Sequence, residues 1–307
     1  MNLRIVLHGE NIEEPGLREA VDDLRTEGHE VEVRVTWERG DARRFAAEAG
    51  PSVDVVVAAG GDGTLSEVAS GLCDASGPDG PALGVLPLGT ANDFANASGI
   101  PEDDIEAALG LIVAGAPGYP LDLIAVGGRT LINVATGGFG AQVTTETPDG
   151  LKRVLGGLSY AVAGVSRISE LEASAGSVRG PDFEWSGRFL AVAVGNGTQA
   201  GGGIRLCPDA RIDDGLLDVR VVPEGRGAGR LLLEALVKGR ETVLDEASFA
   251  HRAPWVEIET EAPFQVNLDG EPMEGTSFRF EVRPGALRCV LPEGSPLRSG
   301  GPGQNPA

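Results

Sequence analysis

Gly60-Gly61-Asp62-Gly63-Thr64 stands at the end of the apolar run Val53-Asp54-Val55-Val56-Val57-Ala58 and leads into Leu65-Ser66-Glu67-Val68-Ala69. A short, β-branched, nearly all-apolar run is the pattern of a strand buried on both faces of a parallel sheet, and the residues after the glycines predict a helix. A strand that ends in glycines and feeds a helix presents backbone N–H groups and the positive end of a helix dipole to an anion. The chemistry such a loop supports is phosphate binding. It is not a G-x-x-x-x-G-K-[ST] loop, since no lysine is near. It is not a dinucleotide fingerprint either, because the third glycine is missing and an acid sits inside the loop. A carboxylate beside polyphosphate is repulsive unless a cation intervenes, so Asp62 points to ATP with Mg²⁺. The alternative is a plain strand-to-helix turn with Asp or Thr capping the helix.

Three further segments bear on that choice. Gly84-Val85-Leu86-Pro87-Leu88-Gly89-Thr90-Ala91-Asn92-Asp93-Phe94-Ala95 repeats the strand, glycine turn and helix, with Thr90 as a hydroxyl donor and Asn92-Asp93 opening the helix. If the two strands are neighbours, both loops face one cleft. Asn196-Gly197-Thr198-Gln199-Ala200-Gly201-Gly202-Gly203 precedes Leu206-Cys207-Pro208-Asp209-Ala210-Arg211-Ile212-Asp213-Asp214-Gly215-Leu216. Carboxylate and turn carbonyl oxygens converge in an Asp-Gly loop of this kind, which is how hard cations are held; an ordinary hairpin turn is the alternative. Asn267-Leu268-Asp269-Gly270-Glu271-Pro272 predicts a hairpin turn with Glu271 at the start of the returning strand. The following proline stiffens it. A carboxylate so placed can take a proton from an attacking alcohol, or it is a solvated hairpin residue.

The elements that must position these residues are legible as patterns. Leu3–Leu7 and Val31, Val33, Val35 read as strands, Leu17, Ala20, Val21 and Leu24 fall at helical spacing, and a helix is expected around Ala42–Ala49. Strand and helix patterns alternate over residues 1–125, which predicts an α/β nucleotide-binding domain. From 126 to 297 strands separated by glycine turns predict a mostly-β, sandwich-like domain, interrupted by helices at Leu151–Leu171 and about Gly229–Ala247. The first of these carries an apolar stripe (Leu151, Val154, Leu155, Leu158, Val162, Val165, Ile168) flanked by Lys152, Arg153 and Arg167, a candidate lipid-facing element or a domain-packing one. Residues 298–307, rich in Gly, Pro and Ser, read as a disordered tail.

Composition narrows the function classes. The chain has 307 residues and a net charge of −21, from 46 acidic against 25 basic side chains. Nucleic acid is excluded as an expected partner, and an anionic membrane would be met only through local basic or apolar contacts. No window approaches the ~18 apolar residues of a membrane span. The N-terminus reads as a strand rather than a signal segment, so a cytoplasmic location is expected. Cys73, Cys207 and Cys289 lie far apart with no C-x-x-C pair, and His8, His29 and His251 are scattered, so neither a disulfide framework nor a zinc site is expected.

Taken together, GGDGT, PLGTANDFA, the NG-x-QAGGG-x-x-LCP run and LDGEP resemble the diacylglycerol kinase catalytic family, and specifically its YegS-like lipid kinases. The resemblance runs from about Leu3 to Leu297 and takes in Val33-Arg34-Val35-Thr36-Trp37-Glu38 and Thr144-Thr145-Glu146-Thr147-Pro148. It implies an N-terminal domain like those of NAD kinases and phosphofructokinases, a C-terminal β-rich domain, and a phosphotransferase with an alcohol as acceptor, of the diacylglycerol or phosphatidylglycerol class. It implies nucleotide contacts at Thr36, at Gly60, Gly61, Asp62, Gly63, Thr64, Leu65, Ser66 and Glu67, and at Thr90. It implies a Mg²⁺ site, with Ca²⁺ the other cation considered, at the carbonyls of Arg211 and Leu216 and the side chain of Asp214. Glu271 would be the catalytic proton acceptor, and Asp122 an acid that links the centre to the metal. The lipid substrate would be met by peripheral contact with a membrane; no oligomeric state is implied. Glu10 departs from the pattern, being an acid where relatives tend to carry asparagine near the phosphates. The rival readings are an NAD kinase, which shares GGDGT, a nucleotide-dependent lipid-binding regulator without turnover, and a Rossmann oxidoreductase, weakened by the missing third glycine.

Overall fold

The computed structural model describes residues 1–115, 118–138, 173–225 and 248–300. The helices expected at 151–171 and 229–247, and the segment 144–148, lie outside the described residues. The chain forms two compact units, Met1–Leu123 with Ile212–Asp214 and Arg283–Ala307, and Ile124–Arg211 with Gly215–Val282. The chain thus returns twice to the first unit, which a single boundary near residue 125 does not express.

In the first unit, β1 (Asn2–Leu7), β2 (Glu30–Val35), β3 (Val55–Gly60) and β4 (Ala82–Pro87) are parallel, in the order β4-β3-β1-β2. The segment ending at Cys289 pairs in parallel with Leu83 on the far side of β4. β3 and β4 are buried along their whole length, which is why they carry almost no polar side chain. Five helices accompany the sheet: α1 (Leu17–Thr26), α2 (Asp41–Ala47), α3 (Asp62–Ala75), α4 (Asp93–Ser98) and α5 (Ile105–Gly115). α1 buries the four residues at helical spacing, Leu17, Ala20, Val21 and Leu24. They pack with Ala108, Leu109 and Ile112 of α5 on Leu3, Ile5, Leu7, Val55, Val57 and Ala59. The alternate residues of β1 point the other way, where Arg4 reaches the Phe45 carbonyl of α2 at 3.0 Å. Next to α2, Gly71 of α3 lets the two helices touch: a Cβ there would stand 2.2 Å from the Arg43 carbonyl oxygen.

β5 (Tyr119–Val126) leaves this unit. In the second unit it pairs, from Ile124, antiparallel with β6 (Arg129–Leu131), and β7 (Val134–Gly138) follows. Then come β8 (Ser174–Arg179), β9 (Glu184–Gly195), the two-residue β10 (Gln199–Ala200) and β11 (Ile204–Arg205), and β12 (Leu217–Pro223). β13 (Phe249–Ala253), β14 (Trp255–Leu268) and β15 (Glu271–Cys289) complete it, all its pairings antiparallel in the order β13-β12-β9-β7-β14-β15, with β8 bridging β9 and β14. Alternate residues of these strands, among them Val192, Val194, Val219, Val221, Ile258, Val266 and Phe280, fill one core, with Phe189 edge-on to Phe264 at 5.4 Å. The fold is therefore an α/β unit followed by a mostly-β, sandwich-like one.

The tail begins later than its composition suggests. Leu297 is buried, the Ser299 amide donates to Asp213 at 2.7 Å, and Arg298 lies 3.5 Å over the Tyr119 ring. These contacts order 298–300 against the first unit, and residues 301–307 lie outside the described ones. Cys73, Cys207 and Cys289 are free thiols.

Candidate active site

Parallel strands carry their ligand loops at the carboxyl edge, and the four strands of the first unit place theirs side by side. The His8 amide donates to Ala59 at 2.9 Å, the Leu88 amide to Gly60 at 2.9 Å, and the Asn11 side chain to the Leu88 carbonyl at 2.9 Å. Gly9 donates to the Thr36 hydroxyl at 3.1 Å. The two glycine loops face one another as expected, and more closely than adjacency of strands requires. A Cβ on Gly89 would stand 2.4 Å from Cα of Gly61, so the contact is backbone on backbone and only glycine permits it.

The 14-residue helix α3 opens at this edge, with Gly61 at its N-cap. Neither Asp nor Thr occupies the cap position. Gly63 is exposed and its Cα faces open space, so an anion can reach the first-turn amides. Thr90 is exposed in the facing loop, while Thr64 is buried and Leu65 is a core side chain, so Leu65 can contribute only its backbone. Glu67 turns away from the loop: both its oxygens accept the Gly40 amide, at 3.1 and 3.2 Å, tying α3 to the start of α2.

Asp62 has partners that its sequence position does not reveal. Its oxygens accept the amides of Asp93 and Phe94 at 3.1 and 3.2 Å, so it caps α4 from outside. These two amides partner the acid within the protein. Burial raises the Asp62 carboxyl from its ordinary value, the charge of Asp93 adds to that, and the Phe94 and Asp93 amides oppose it. Asn92 stands at the N-cap of α4, as expected, with φ of 48°, but its side chain makes no cap hydrogen bond. Its side chain spans the turn instead, accepting from the Gly89 amide and donating to the Gly89 carbonyl, each at 3.0 Å.

The loop after β2 is held by Asp41, which accepts the amides of Trp37 and Glu38 at 2.8 and 3.1 Å and the Arg44 guanidinium at 2.6 Å. The Trp37 amide, then Arg44 and the Glu38 amide, hold the Asp41 carboxyl down at about 2. A depressed folded value means stabilisation that is complete above the unfolded aspartate pKa and lost as pH falls through the folded one. The melting-temperature gap between the wild type and Asp41→Asn is therefore expected to be constant near neutrality and to shrink between about pH 4 and pH 2. A gap independent of pH over that window would contradict it.

In the second unit, Asp269 and Gly270 form the two-residue turn between β14 and β15, with φ of 46° and 95° and Leu268 paired to Glu271. Both positive angles match the Asp-Gly pair. The Gly270 amide donates to Asn267 Oδ1 at 2.6 Å, and the Ile132 amide to Asp269 at 3.0 Å. Asn196 and Gly197 donate their amides to the Asn133 carbonyl at 2.9 and 3.0 Å, and the Asn196 side chain donates to Ile132 at 3.1 Å. The Asn-Gly motif thus braces the turn that braces the hairpin. Glu271 is half-exposed and Arg129 stands 3.3 Å from its carboxylate. Arg129 was not singled out from the sequence, where it is one of several cations beside a glycine turn.

The Asp-Gly loop is divided, with Ile212–Asp214 in the first unit and Arg211 and Leu216 in the second. Within the first unit the Asp122 amide donates to the Ile212 carbonyl at 2.7 Å, and the buried Asp122 carboxylate accepts from Gly285 at 2.7 Å. The strand bearing Asp122 is therefore joined directly to this loop. Ahead of the loop, the Asp209 amide donates to the buried Asp218 at 3.0 Å. Among the described residues no cluster of three or more His, Cys, Asp or Glu side chains could hold a metal. Gly215 turns this loop with φ of 72°, and an aspartate carboxylate with main-chain carbonyls is the hard-oxygen chemistry that Mg²⁺ or Ca²⁺ takes. Glu10 is exposed at the end of β1.

Paired glycine loops at the carboxyl edge of a parallel sheet, without the third glycine of a dinucleotide fingerprint, define a phosphate-binding α/β unit rather than a dehydrogenase one. Comparison agrees: the model of the diacylglycerol kinase catalytic domain matches residues 6–125, and that of the YegS C-terminal NAD kinase beta sandwich-like domain matches residues 133–291. A protein described as "Probable lipid kinase YegS-like" from Xanthomonas euvesicatoria pv. vesicatoria (strain 85-10) is 47% identical over 97% of this chain and 98% of its own length. One of the same description from Pseudomonas aeruginosa (strain UCBPP-PA14) is 50% identical over 95% of each. The solved structure of a candidate diacylglycerol kinase from Bacillus anthracis str. Sterne superposes with a TM-score of 0.80 at 26% identity, over 95% of both chains. The chain belongs to the YegS-like branch of the diacylglycerol kinase catalytic family.

Proposed function

We propose that this kinase transfers the γ-phosphoryl group of ATP to the hydroxyl of a membrane lipid of the diacylglycerol or phosphatidylglycerol class. The observation that carries the reading is the backbone contact between Gly61 and Gly89, which turns two strand-end loops into one cradle at the start of α3. Amides and the helix dipole offset polyphosphate charge there. In the transfer, the lipid hydroxyl oxygen bonds to the γ-phosphorus, the bond to the β,γ-bridging oxygen breaks, ADP leaves, and the hydroxyl proton passes to the Glu271 carboxylate. A turn pinned by Asn267 and Asp269 keeps that carboxylate in one place. The carbonyls of Arg211 and Leu216 and the Asp214 carboxylate would hold Mg²⁺, which would supply positive charge.

The lipid acceptor is supported by the descriptions of the relatives. No helix among the described residues is long and apolar enough to cross a membrane, so peripheral contact is the mode proposed. Radiolabelled ATP offered with a panel of lipid alcohols in mixed micelles, and with NAD in a parallel arm, tests the reading. Label in a lipid phosphate supports it; label in NAD and in no lipid overturns it. Asp214→Ala is expected to move the Mg²⁺ activation curve to roughly tenfold higher concentration, as removal of a ligating carboxylate does. An unchanged Mg²⁺ titration would remove Asp214 from the metal site.

A further inference from the structure

Among the described residues the exposed large hydrophobic side chains are Ile12, Val35 and Trp37, at 40%, 39% and 94% exposure. All three lie at one place in the fold. Ile12 follows the short turn Gly9–Asn11 after β1, and Val35 and Trp37 flank Thr36 at the end of β2. The turns that carry them touch, since a Cβ on Gly9 would stand 2.5 Å from the Thr36 carbonyl oxygen. Single exposed apolar residues scattered over a surface need no explanation, but three gathered on adjoining loops do.

Trp37 is bare at its ring and fixed at its backbone. Its own amide and that of Glu38 are held by Asp41, Thr36 is held by the Gly9 amide, and Gly40 is held by Glu67 of α3. That last bond ties the tryptophan's loop to the second turn of the helix whose first turn forms the phosphate cradle. β2 lies two strands from β3, about 10 Å at ordinary strand spacing, so the indole stands beyond the cradle along the same sheet edge. A solvent-facing indole on a fixed backbone at that remove from a phosphate site has the chemistry of a stacking platform.

We infer that Trp37, with Ile12 and Val35 exposed on the adjoining turns, is the stacking face for the purine base of the nucleotide. This rests on the ATP reading above and extends it to the base end of the ligand. The phosphates are held by backbone amides that any nucleotide or polyphosphate can use; the base is held by an aromatic face.

The experiment is equilibrium binding of ATP and of inorganic tripolyphosphate, both with Mg²⁺, to the wild type, Trp37→Ala and Trp37→Phe. Loss of one base–aromatic stack is expected to weaken ATP about tenfold in Trp37→Ala and to be largely recovered in Trp37→Phe. Tripolyphosphate affinity is expected to be equal in all three. Unchanged ATP affinity in Trp37→Ala overturns the inference. So does an equal loss for ATP and tripolyphosphate, which would make the residue a prop for its loop. A tryptophan emission blue shift on phosphatidylglycerol vesicles that is present in the wild type and absent in Trp37→Phe, with no such Trp37-dependent change on ATP, would make it a membrane anchor and overturn the inference too. Failure of the wild type to bind either ligand would instead overturn the phosphate cradle beneath it.

Discussion

Glu271→Gln is expected to lower kcat by about 10²- to 10⁴-fold, the range of a lost general base, while ATP affinity and melting temperature stay at wild-type values. The substitution removes the proton-accepting charge and little else. Glutamine has the same shape, its side-chain oxygen can still accept from Arg129 at the 3.3 Å now observed, and the turn is held by other residues, Asn267 and Asp269. A pre-steady-state phosphoryl-transfer assay alongside nucleotide titration checks it. Retained turnover would take Glu271 out of the base role. Loss of ATP affinity in step with kcat would make it a nucleotide contact. The exposed pairing with Arg129 adds little stability, as exposed ion pairs do, which is why no melting shift is expected.

Gly89→Ala is the second large effect, and it acts through the backbone. The new Cβ would fall 2.4 Å from Gly61 Cα and 2.7 Å from Asn92 Oδ1, distances at which one loop must move. Overpacking of this kind costs about 1–3 kcal/mol of stability. The functional cost is larger, because displacing a positioning loop by about 1 Å loses roughly 100-fold in kcat/KM. The expected signature is a rise in KM for ATP with the affinity for lipid micelles unchanged, read by varying each substrate in turn. An alanine variant with wild-type KM for ATP would show that the two loops do not bind phosphate as one cradle. Gly63→Ala is the internal control for stability, since open space surrounds that Cα.

Much of the architecture was legible because it is written in short-range patterns. Leu17, Ala20, Val21 and Leu24 bury one helix face, and the all-apolar runs before the glycine loops are the two fully buried strands. Asp269-Gly270 states its turn through the φ angles it tolerates. Where local reading fell short, a distant partner completed it. Asn92 and Asp93 open α4 as their types suggest, yet its first amides are capped by Asp62, 31 residues earlier. Residues 298–300 look like a tail because Gly, Ser and Arg carry no pattern, yet Asp213 and Tyr119 hold them.

The residue types alone determined that strand-end glycines feed helices, that the sheet beneath them is buried on both faces, and that an acid follows a tight hairpin. Each of these depends on the conformational freedom or polarity of a few neighbouring residues. The tertiary structure alone decided that Gly61 and Gly89 touch, that Arg129 meets Glu271 across 142 residues of chain, and that Trp37 is left bare beside the cradle. Such pairings are set by which strands lie side by side and what covers them. A tryptophan in a sequence is a core residue or a surface one according to packing that its neighbours do not encode.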